Sequence, residues 1–321
     1  VDTLRTAETV NLMNNLRKVP TQGIMFGHHD DPLYGVGWEG DEDRSDVKSV
    51  CGDYPAVMSF DLGHIELERE KSLDNVPFRK IRQETINQYK RGGVVSFSWH
   101  LDNPLTGKDA WDVSDTTVVA SILPGGVHHA KFISWLDAVA AFMNTLETEE
   151  GTKIPVIFRP WHEHTGSWFW WGQNLCTADQ YKALWRMTHD RMHARGVKNL
   201  LYAYSPGSEP KDSTAYLERY PGDDIIDLVG FDTYQFDRTQ YMEQLDKSLA
   251  ILTEVGKAHD KPIAITETGF EAIPDSVWWT QTLYPVISKY PISYVLVWRN
   301  ARERVNHYYA CLLYTSPSPR D

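Results

Sequence analysis

Cysteine is scarce in this chain of 321 residues, since only Cys51, Cys176 and Cys311 occur. Three cysteines are too few for a disulfide framework, and their spacing fits no zinc motif. A bridge between Cys51 and Cys176 stays open. No apolar run is long enough to cross a membrane, and the first residues show no signal-peptide pattern. We therefore expect no disulfide scaffold and no membrane span, while the compartment is left undecided.

Positive charge is also in short supply. The chain has 32 Lys and Arg against 44 Asp and Glu, a net charge of -12, and no basic cluster. A nucleic acid or an anionic membrane surface is therefore not an expected partner. Aromatic residues are abundant instead, with 12 Trp, 16 Tyr and 11 Phe. Most of these rings should pack in the core, but such a supply also suits stacking on sugars.

Eight short apolar runs recur along the chain, and most of them end in polar residues. They cover residues 23–29, 56–63, 94–101, 154–163, 200–207, 227–234, 262–269 and 293–300. Segments with helical periodicity lie between several of them, and strands that alternate with helices pair in parallel. The pattern predicts an α/β fold, a (β/α)₈ TIM barrel, formed by one catalytic domain over residues 1–310.

The helical segments carry their own signals. Thr177 and Gln180 form a capping-box pattern for a helix that runs through Ala194 and ends at Gly196. Two apolar stripes at helical spacing predict buried helix faces. The first stripe is Ile133, Leu136, Ala140, Met143 and Leu146, and the second is Met242, Leu245, Leu249, Leu252 and Val255.

The last residues do not fit the barrel pattern. Residues 311–321 have neither a helical nor a strand period, and they resemble translated adapter sequence from a DNA library. We expect them to be a non-native tail that stands where the last helix of the barrel should follow. In that case apolar surface on the eighth and first strands is left uncovered.

The fourth run leads into the most informative segment of the chain, RPWHEHTGSWFWWG at residues 159–172. It places Glu163 between His162 and His164, next to a cluster of indole rings. A carboxyl group that can donate a proton, imidazoles for hydroxyls and flat apolar rings are what a sugar site needs. The carboxyl ends of barrel strands carry the chemistry of this fold, and Glu267 ends the seventh run at the same mouth.

Two carboxyl groups at one mouth suffice for glycoside hydrolysis. A separation of roughly 5–5.5 Å gives retention of configuration, and about 6.5–9.5 Å gives inversion. Glu163 lies among rings, so loss of solvation should favour its acid form. We expect Glu267, flanked by the hydroxyls of Thr266 and Thr268, to stay ionised and act as the nucleophile.

The chain resembles glycoside hydrolase family 26, the β-mannanases. The resemblance rests on RPWHEHTGSWFWWG at 159–172, FDTY at 231–234, ITETGFE at 265–271 and VWRN at 297–300. It implies a barrel with retaining chemistry, Glu163 as acid/base and Glu267 as nucleophile. It also implies that His162 donates to a sugar hydroxyl and that Tyr234 hydrogen-bonds the nucleophile.

Further substrate-binding positions follow from the same resemblance. His100 matches a sugar-binding histidine, Trp298 the platform under the ring that is cleaved, and Arg299 a contact to the next sugar outward. Trp168 matches a ring on the leaving-group side. Other assignments are open: Asp232 should orient Tyr234 or a neighbouring base, and Arg159 should bridge carboxylates beneath the site. Trp170 and Trp171 should be core or rim, and we favour His28 over His29 as the residue that reaches the mouth.

We therefore expect a secreted, periplasmic or cell-surface hydrolase, a monomer, that cleaves mannan, glucomannan or galactomannan without a cofactor or metal. A β-1,3-xylanase or mixed-linkage β-glucanase of the same family is the nearest alternative. A metal-dependent barrel hydrolase is a rival from another class, although the chain lacks an HExxH motif. A barrel that binds sugar without turnover is the third alternative.

Overall fold

Eight parallel strands form a closed barrel in the computed structural model, which describes residues 4–236 and 240–310. Each strand arises from one of the eight apolar runs, so the predicted (β/α)₈ architecture is confirmed. The strands are β1 (Met25–His29), β2 (Val57–Asp61), β3 (Val94–Ser98), β4 (Val156–Arg159), β5 (Leu200–Tyr204), β6 (Leu228–Gln235), β7 (Ile263–Phe270) and β8 (Tyr294–Val297). Every strand pairs with its sequence neighbours, and β8 pairs with β1 to close the barrel.

Alternation along each strand divides its side chains between two cores. One set points outward and packs against the helices, and the other fills the barrel. The interior set from the strands is Val57, Val94, Ile157, Leu201, Ala203, Leu228, Ala264, Tyr294 and Leu296. Leu12 and Leu16 of the first helix join this cluster and close the end of the barrel opposite the site.

Nine α-helices are present in the described residues. They are α1 (Ala7–Lys18), α2 (Asp46–Cys51), α3 (Phe78–Lys90), α4 (Val118–Ile122), α5 (His129–Asn144), α6 (Ala178–Ala194), α7 (Ser213–Tyr216), α8 (Tyr241–His259) and α9 (Tyr284–Ile287). Shorter turns of 3₁₀-helix cover Val19–Thr21 and Ile65–Leu67, and a π-helix covers Trp278–Leu283. A two-stranded hairpin pairs Tyr34–Gly35 with Trp38–Glu39.

The helix signals in the sequence were largely correct. The Thr177 and Gln180 capping box is present, and it begins α6 where predicted. The second apolar stripe is wrong at its first position, because Met242 is exposed and the neighbouring Tyr241 is buried in its place. The other four residues of the stripe, Leu245, Leu249, Leu252 and Val255, are buried as predicted.

The outer faces of β1 and β8 border an apolar groove of about 460 Å³. Its walls include Phe26, Val295, Trp279 and Leu283. Residues 298–310 form no helix, and the predicted foreign tail at 311–321 lies outside the described residues. Cys51 and Cys176 are unbridged, so the bridge left open by the sequence is not formed. No helix of the described chain has the length and apolar character to cross a membrane.

Candidate active site

Glu163 is carried by a strained turn that follows β4. The backbone of Trp161 (φ 59°) and of Glu163 (φ 56°) lies in the left-handed region, which costs a non-glycine residue roughly 1–2 kcal/mol. Burial of the Trp161 ring and a hydrogen bond from the Glu163 N–H to the Ser205 carbonyl oxygen (2.8 Å) hold the turn. Such strain persists where the surroundings over-determine it, and it is typical of functional sites.

Glu267 reaches the mouth because β7 contains a bulge. Phe231 pairs with Ile265, but the next residue, Asp232, pairs with Glu267, so β7 has one residue more than β6 at this point. An extra residue reverses the alternation beyond it. Ala264 fills the barrel interior, and Glu267, three residues later, also points inward. In a regular strand, residues three positions apart point to opposite faces, so without the bulge Glu267 would point toward the helices.

The two glutamates meet at the carboxyl end of the barrel. One oxygen of Glu163 and one of Glu267 lie within 4.8 Å of each other. This upper bound lies below the separation of about 6.5–9.5 Å that leaves room for an attacking water, so it favours the retaining over the inverting geometry. His162 lies beside both, with Nε2 3.5 Å from Glu163 Oε2 and 3.9 Å from Glu267 Oε2.

His162 is fully buried, and neither of its ring nitrogens has a hydrogen-bond partner among the described residues. Burial and the nearby His100 lower its pKa well below the usual range, so the ring is neutral. An unsatisfied buried N–H is costly unless a ligand completes it. The two ring nitrogens thus have unused hydrogen-bonding capacity beside both glutamates. That His162 donates to a sugar hydroxyl stays a prediction from the resemblance.

Arg159 holds the nucleophile candidate from below. This residue, the last of β4, donates to Asp232 Oδ2 (2.9 Å) with one guanidinium nitrogen and to Glu267 Oε2 with the other. Tyr234 donates to the second oxygen of Glu267 at 2.5 Å. Burial and Glu267 raise the pKa of Tyr234, which keeps the phenol protonated for this bond.

The partners of Glu267 are thus Arg159 and Tyr234 rather than the two threonines that flank it. Thr266 donates to Asp232 Oδ1 (2.6 Å), and Thr268 bonds to the Tyr241 hydroxyl. Asp232 bonds to Arg159 and Thr266 and also interacts with Glu163 and Glu267, so its contacts favour the predicted role of orienting a neighbouring base over that of orienting Tyr234.

Glu163 is in the environment of a proton donor. Burial, and then the charge of Glu267, raise the pKa of Glu163 to about 8. A carboxyl group with such a pKa is protonated at neutral pH and can protonate a departing oxygen. Glu267 forms an ion pair with Arg159, whereas Glu163 lies beside the neutral ring of His162, so the two carboxyl groups can take different roles.

His100 is oriented by a buried carboxylate that the sequence analysis assigned no role. Nδ1 of His100 donates to Asp61 Oδ2 at 2.6 Å, and the His100 N–H and the Ser98 hydroxyl also donate to Asp61. Although burial opposes protonation, the Asp61 carboxylate raises the pKa of His100 above its usual value. A charged imidazole gives stronger hydrogen bonds to hydroxyl groups than a neutral one.

The ring of Trp298, which the resemblance predicts to be the platform under the cleaved sugar, is stacked with a second ring. His29 stacks on Trp298 at 3.8 Å between ring centroids and 11° between planes. Gly27 faces Val57 and Leu296 in the barrel interior, so His29, two residues on, also faces inward. The choice of His28 was therefore wrong: its ring points outward, is buried and bonds to Asp31 Oδ1 at 2.8 Å.

The remaining predicted residues lie at the rim or in the core. Trp168 is 42% exposed and borders a cleft of about 550 Å³ that also includes Glu163, Asp232 and Tyr234. Trp170 and Trp171 are fully buried, so they belong to the core. Arg299 is 9% exposed at the end of β8. Its guanidinium donates to Glu303 (2.6 Å) and to the Tyr34 hydroxyl (3.4 Å).

Two further aromatic rings surround His100 and were not singled out from the sequence. Trp111 is 47% exposed and lies parallel to the His100 ring, with centroids 5.3 Å apart. Phe169 packs against both His100 (5.3 Å) and His162 (5.0 Å). Trp111 could have been found from its position in the sequence. It lies in the long loop after β3, and the loops at the carboxyl ends of barrel strands form the site.

Four side chains at the centre of the site are of the types that bind metal ions. One ligand atom each from His162, Glu163, Asp232 and Glu267 lies within 4.8 Å of the others. However, the Arg159 guanidinium already forms ion pairs with Asp232 and Glu267. A metal ion would have to compete with this fixed positive charge, so the arrangement favours carboxyl chemistry balanced by Arg159.

Comparisons with known proteins agree with this geometry. A family model described as glycosyl hydrolase family 26 matches residues 1–301. A mannan endo-1,4-β-mannosidase from Bifidobacterium adolescentis is 36% identical over 283 residues, which cover 84% of this chain and 27% of the relative. One from Caldalkalibacillus mannanilyticus is 27% identical over 301 residues, which cover 90% of this chain and 54% of the relative. The chain thus spans about a quarter and about half of these curated relatives.

A solved structure is more similar still. A GH26 β-mannanase from Bacteroides ovatus is 63% identical, with a TM-score of 0.96, over 97% of this chain and 90% of that chain. An endo-β-1,4-mannanase double mutant from Cellulomonas fimi is 33% identical, with a TM-score of 0.88, over 97% of this chain and 72% of that chain.

Proposed function

The chain belongs to glycosyl hydrolase family 26, and we propose that it hydrolyses β-1,4-mannosidic linkages in mannan-type polysaccharides with retention of configuration. The observation that carries the proposal is the pair of carboxyl groups, Glu163 and Glu267, with oxygens within 4.8 Å at the open end of the barrel. Glu163 has the raised pKa of a proton donor, and Glu267 is aimed by Arg159 and Tyr234.

The mechanism is a double displacement. Glu267 attacks the anomeric carbon while Glu163 protonates the departing glycosidic oxygen, which yields a covalent glycosyl-enzyme. Glu163 then takes a proton from water as the water attacks the same carbon and releases Glu267. His162 and His100 provide hydrogen bonds to sugar hydroxyls, and Trp298 supports the ring. Trp168 borders the leaving-group side, and Arg299 lies further out.

The glutamate roles are tested by two substitutions. We expect Glu267→Ala to abolish turnover while mannan binding is kept, because only the nucleophile is lost. We expect Glu163→Ala to retain the first step on an aryl β-mannoside with a good leaving group, since that leaving group needs little protonation. Product configuration is read by NMR at early times. An inverted product, or an aryl mannoside cleaved no better than mannan by Glu163→Ala relative to the native protein, would contradict the assignment.

The substrate is tested by a comparison of polymers. Mannan is favoured because the relatives from Bifidobacterium adolescentis and Caldalkalibacillus mannanilyticus are both named mannan endo-1,4-β-mannosidases. A shorter match, 26% identical over 154 residues, is named endoglucanase H, from Acetivibrio thermocellus. We expect mannan, glucomannan or galactomannan to be cleaved faster than β-1,3-xylan or lichenan in parallel assays. Faster hydrolysis of either of the last two polymers would overturn the substrate assignment.

The other-class alternatives have their own tests. A metal-dependent hydrolase would lose activity in EDTA, whereas we expect the activity to persist because Arg159 balances the site. A barrel that only binds sugar would retain mannan without releasing reducing ends. We infer an enzyme that acts outside the cytoplasm, because its polymeric substrate is too large to be imported intact, and we expect it to be a monomer. Size-exclusion chromatography tests the oligomeric state.

A further inference from the structure

His164 belongs to the His162–Glu163–His164 motif but takes no part in the mechanism above. Its side chain leaves the cleft and is 1% exposed. Nδ1 lies 2.9 Å from the Tyr181 hydroxyl, and Nε2 lies 3.1 Å from the Tyr204 hydroxyl. Burial, and then Arg219, lower the pKa of His164 to about 3, so the ring is neutral throughout the range in which the protein is folded and active. Its contribution is therefore hydrogen bonding and not charge.

His164 is one member of a buried hydrogen-bond chain that we call the tyrosine brace, made of Tyr181, His164, Tyr204 and Tyr216. At one end the Tyr181 hydroxyl donates to the carbonyl oxygen of Trp161 at 2.6 Å. At the other end, because the neutral ring donates from Nδ1 to the Tyr181 oxygen, the single proton of the Tyr204 hydroxyl is shared between Nε2 of His164 (3.1 Å) and the Tyr216 carbonyl oxygen (2.8 Å).

The Tyr216 hydroxyl in turn donates to the carbonyl oxygen of Gly230 at 2.6 Å. The brace therefore ties the turn after β4 to α6, β5, α7 and β6. Gly230 precedes Asp232 by two residues on the same strand, so the brace begins at the turn of Glu163 and ends next to the group that binds Arg159.

The turn has a physical need for such support. Trp161 and Glu163 both occupy the left-handed region, and the bond from Tyr181 reaches the peptide unit between them. A backbone in this state relaxes unless its neighbours fix it. Rotation of the peptide after Trp161 would move the Glu163 carboxyl group relative to Glu267, and a displacement of about 1 Å can lower a rate by about 100-fold.

We propose that His164 and Tyr181 are positioning residues for Glu163, which they act on through the carbonyl group of Trp161. The proposal rests on the proposed function, because the acid/base role of Glu163 is what a displaced turn would impair. The positioning role predicts different effects on reaction steps that need Glu163 and on steps that do not. Attack by Glu267 on a substrate with a good leaving group needs no proton from Glu163, whereas cleavage of mannan and hydrolysis of the intermediate do.

The experiment compares Tyr181→Phe with Tyr202→Phe. Both changes remove one hydroxyl from a buried tyrosine, but the Tyr202 hydroxyl has no hydrogen-bond partner among the described residues. We expect Tyr181→Phe to lower kcat on mannooligosaccharides about 10- to 100-fold with little change in KM. With a dinitrophenyl β-mannobioside it should show a normal initial burst followed by slow turnover. Azide, a nucleophile that needs no general base, should accelerate that turnover.

The control and the conservative variant complete the test. Tyr202→Phe should behave like the native protein on both substrates and show no response to azide. His164→Leu should reproduce the azide-sensitive defect, and His164→Asn, whose amide N–H stands near the position of Nδ1, should restore most of the activity. Thermal unfolding of every variant shows whether it is folded.

The possible failures are distinct. Equal loss on mannooligosaccharide and aryl substrate, no azide response, or no loss at all in folded Tyr181→Phe would overturn the positioning role. A native protein that does not cleave mannan would instead overturn the proposed function, and this is seen before any variant is measured.

Discussion

Among single residues, Glu163 has the most direct effect on how the activity should depend on pH. Burial and the charge of Glu267 raise its pKa to about 8, so the free enzyme holds the proton below that pH and loses it above. We expect kcat/KM for an unactivated mannooligosaccharide to fall about tenfold per pH unit above this value. The measurement is a pH profile of initial rates under conditions in which the protein stays folded.

A substrate with a good leaving group provides the control for this pH prediction. For an aryl β-mannoside, kcat/KM reports only the steps through glycosylation, which needs no proton from Glu163. The alkaline decline should therefore be weak or absent. An equally steep decline with both substrates would mean that a group other than Glu163 controls the alkaline limb.

Residue alternation explains both a success and a failure of sequence reasoning. Glu163 was identified from its neighbours in the motif alone. The choice between His28 and His29 depended on which face of β1 points inward, and that face is set by contacts of Gly27 with Val57 and Leu296. Those contacts come from two other strands, one of them almost at the end of the chain. No local pattern around the two histidines contains this information.

Glu267 illustrates the same limit in a different way. The inward position of Ala264 would place Glu267 outside the barrel if the strand were regular. The bulge at Thr266 corrects this, but the register shift exists only between paired strands. The family resemblance named Glu267 without revealing the bulge that turns its side chain inward. Likewise, the sequence shows Asp61 as a polar residue at the end of a strand. Its bond to His100 joins two strands and could be seen only in the structure.

At the scale of elements, the N-terminus of α6 offers a clean stability test. Thr177 Oγ1 accepts from the Gln180 N–H (3.1 Å), and Gln180 Oε1 accepts from the Thr177 N–H (3.0 Å). We expect Thr177→Ala to lower the free energy of unfolding by about 1 kcal/mol, because loss of the Thr177 hydroxyl leaves the Gln180 N–H unpaired. In a domain of this size the melting temperature should fall by roughly 2 °C.

Thr177→Ser is the matched control for this cap, because it keeps the hydroxyl that accepts from the Gln180 N–H. Its melting temperature should stay close to that of the native protein. If Thr177→Ala and Thr177→Ser were equally destabilised, the loss would come from the methyl group and the capping explanation would be wrong.

The positions of helices and strands were predicted well where the signal lay in a short stretch of sequence. They were predicted poorly where contacts with distant residues determine which side chain is buried. Eight strands and the capped α6 follow from short stretches of sequence. The start of α8 does not, since Tyr241 rather than Met242 is buried. Tyr241 is drawn inward because its hydroxyl bonds to Thr268 on β7 and its ring lies near Trp278. A hydropathy pattern scores methionine above tyrosine and contains neither contact.

At the scale of the whole molecule, charge and cleft chemistry act together. The chain carries a net charge of -12, and Glu209 lies at the border of the cleft. A neutral polymer experiences no long-range force from such a field, whereas an acidic polymer is repelled. The screening length falls from roughly 30 Å at 0.01 M salt to roughly 3 Å at 1 M. Salt should therefore affect the cleavage of an acidic polymer and not that of a neutral one.

We therefore expect kcat/KM for unmodified mannan to change less than about twofold between these salt concentrations. Mannan that carries sparse carboxymethyl groups should be cleaved more slowly at low salt and should recover as salt is added, because screening removes the repulsion. The two polymers share one backbone, so a difference between them reports charge and not sugar identity. If the carboxymethylated polymer stayed a poor substrate at high salt, steric exclusion by the cleft would explain its slow cleavage better than the charge of the molecule. If both polymers were cleaved equally at low salt, the acidic surface would have no influence on which polysaccharides reach Glu163 and Glu267.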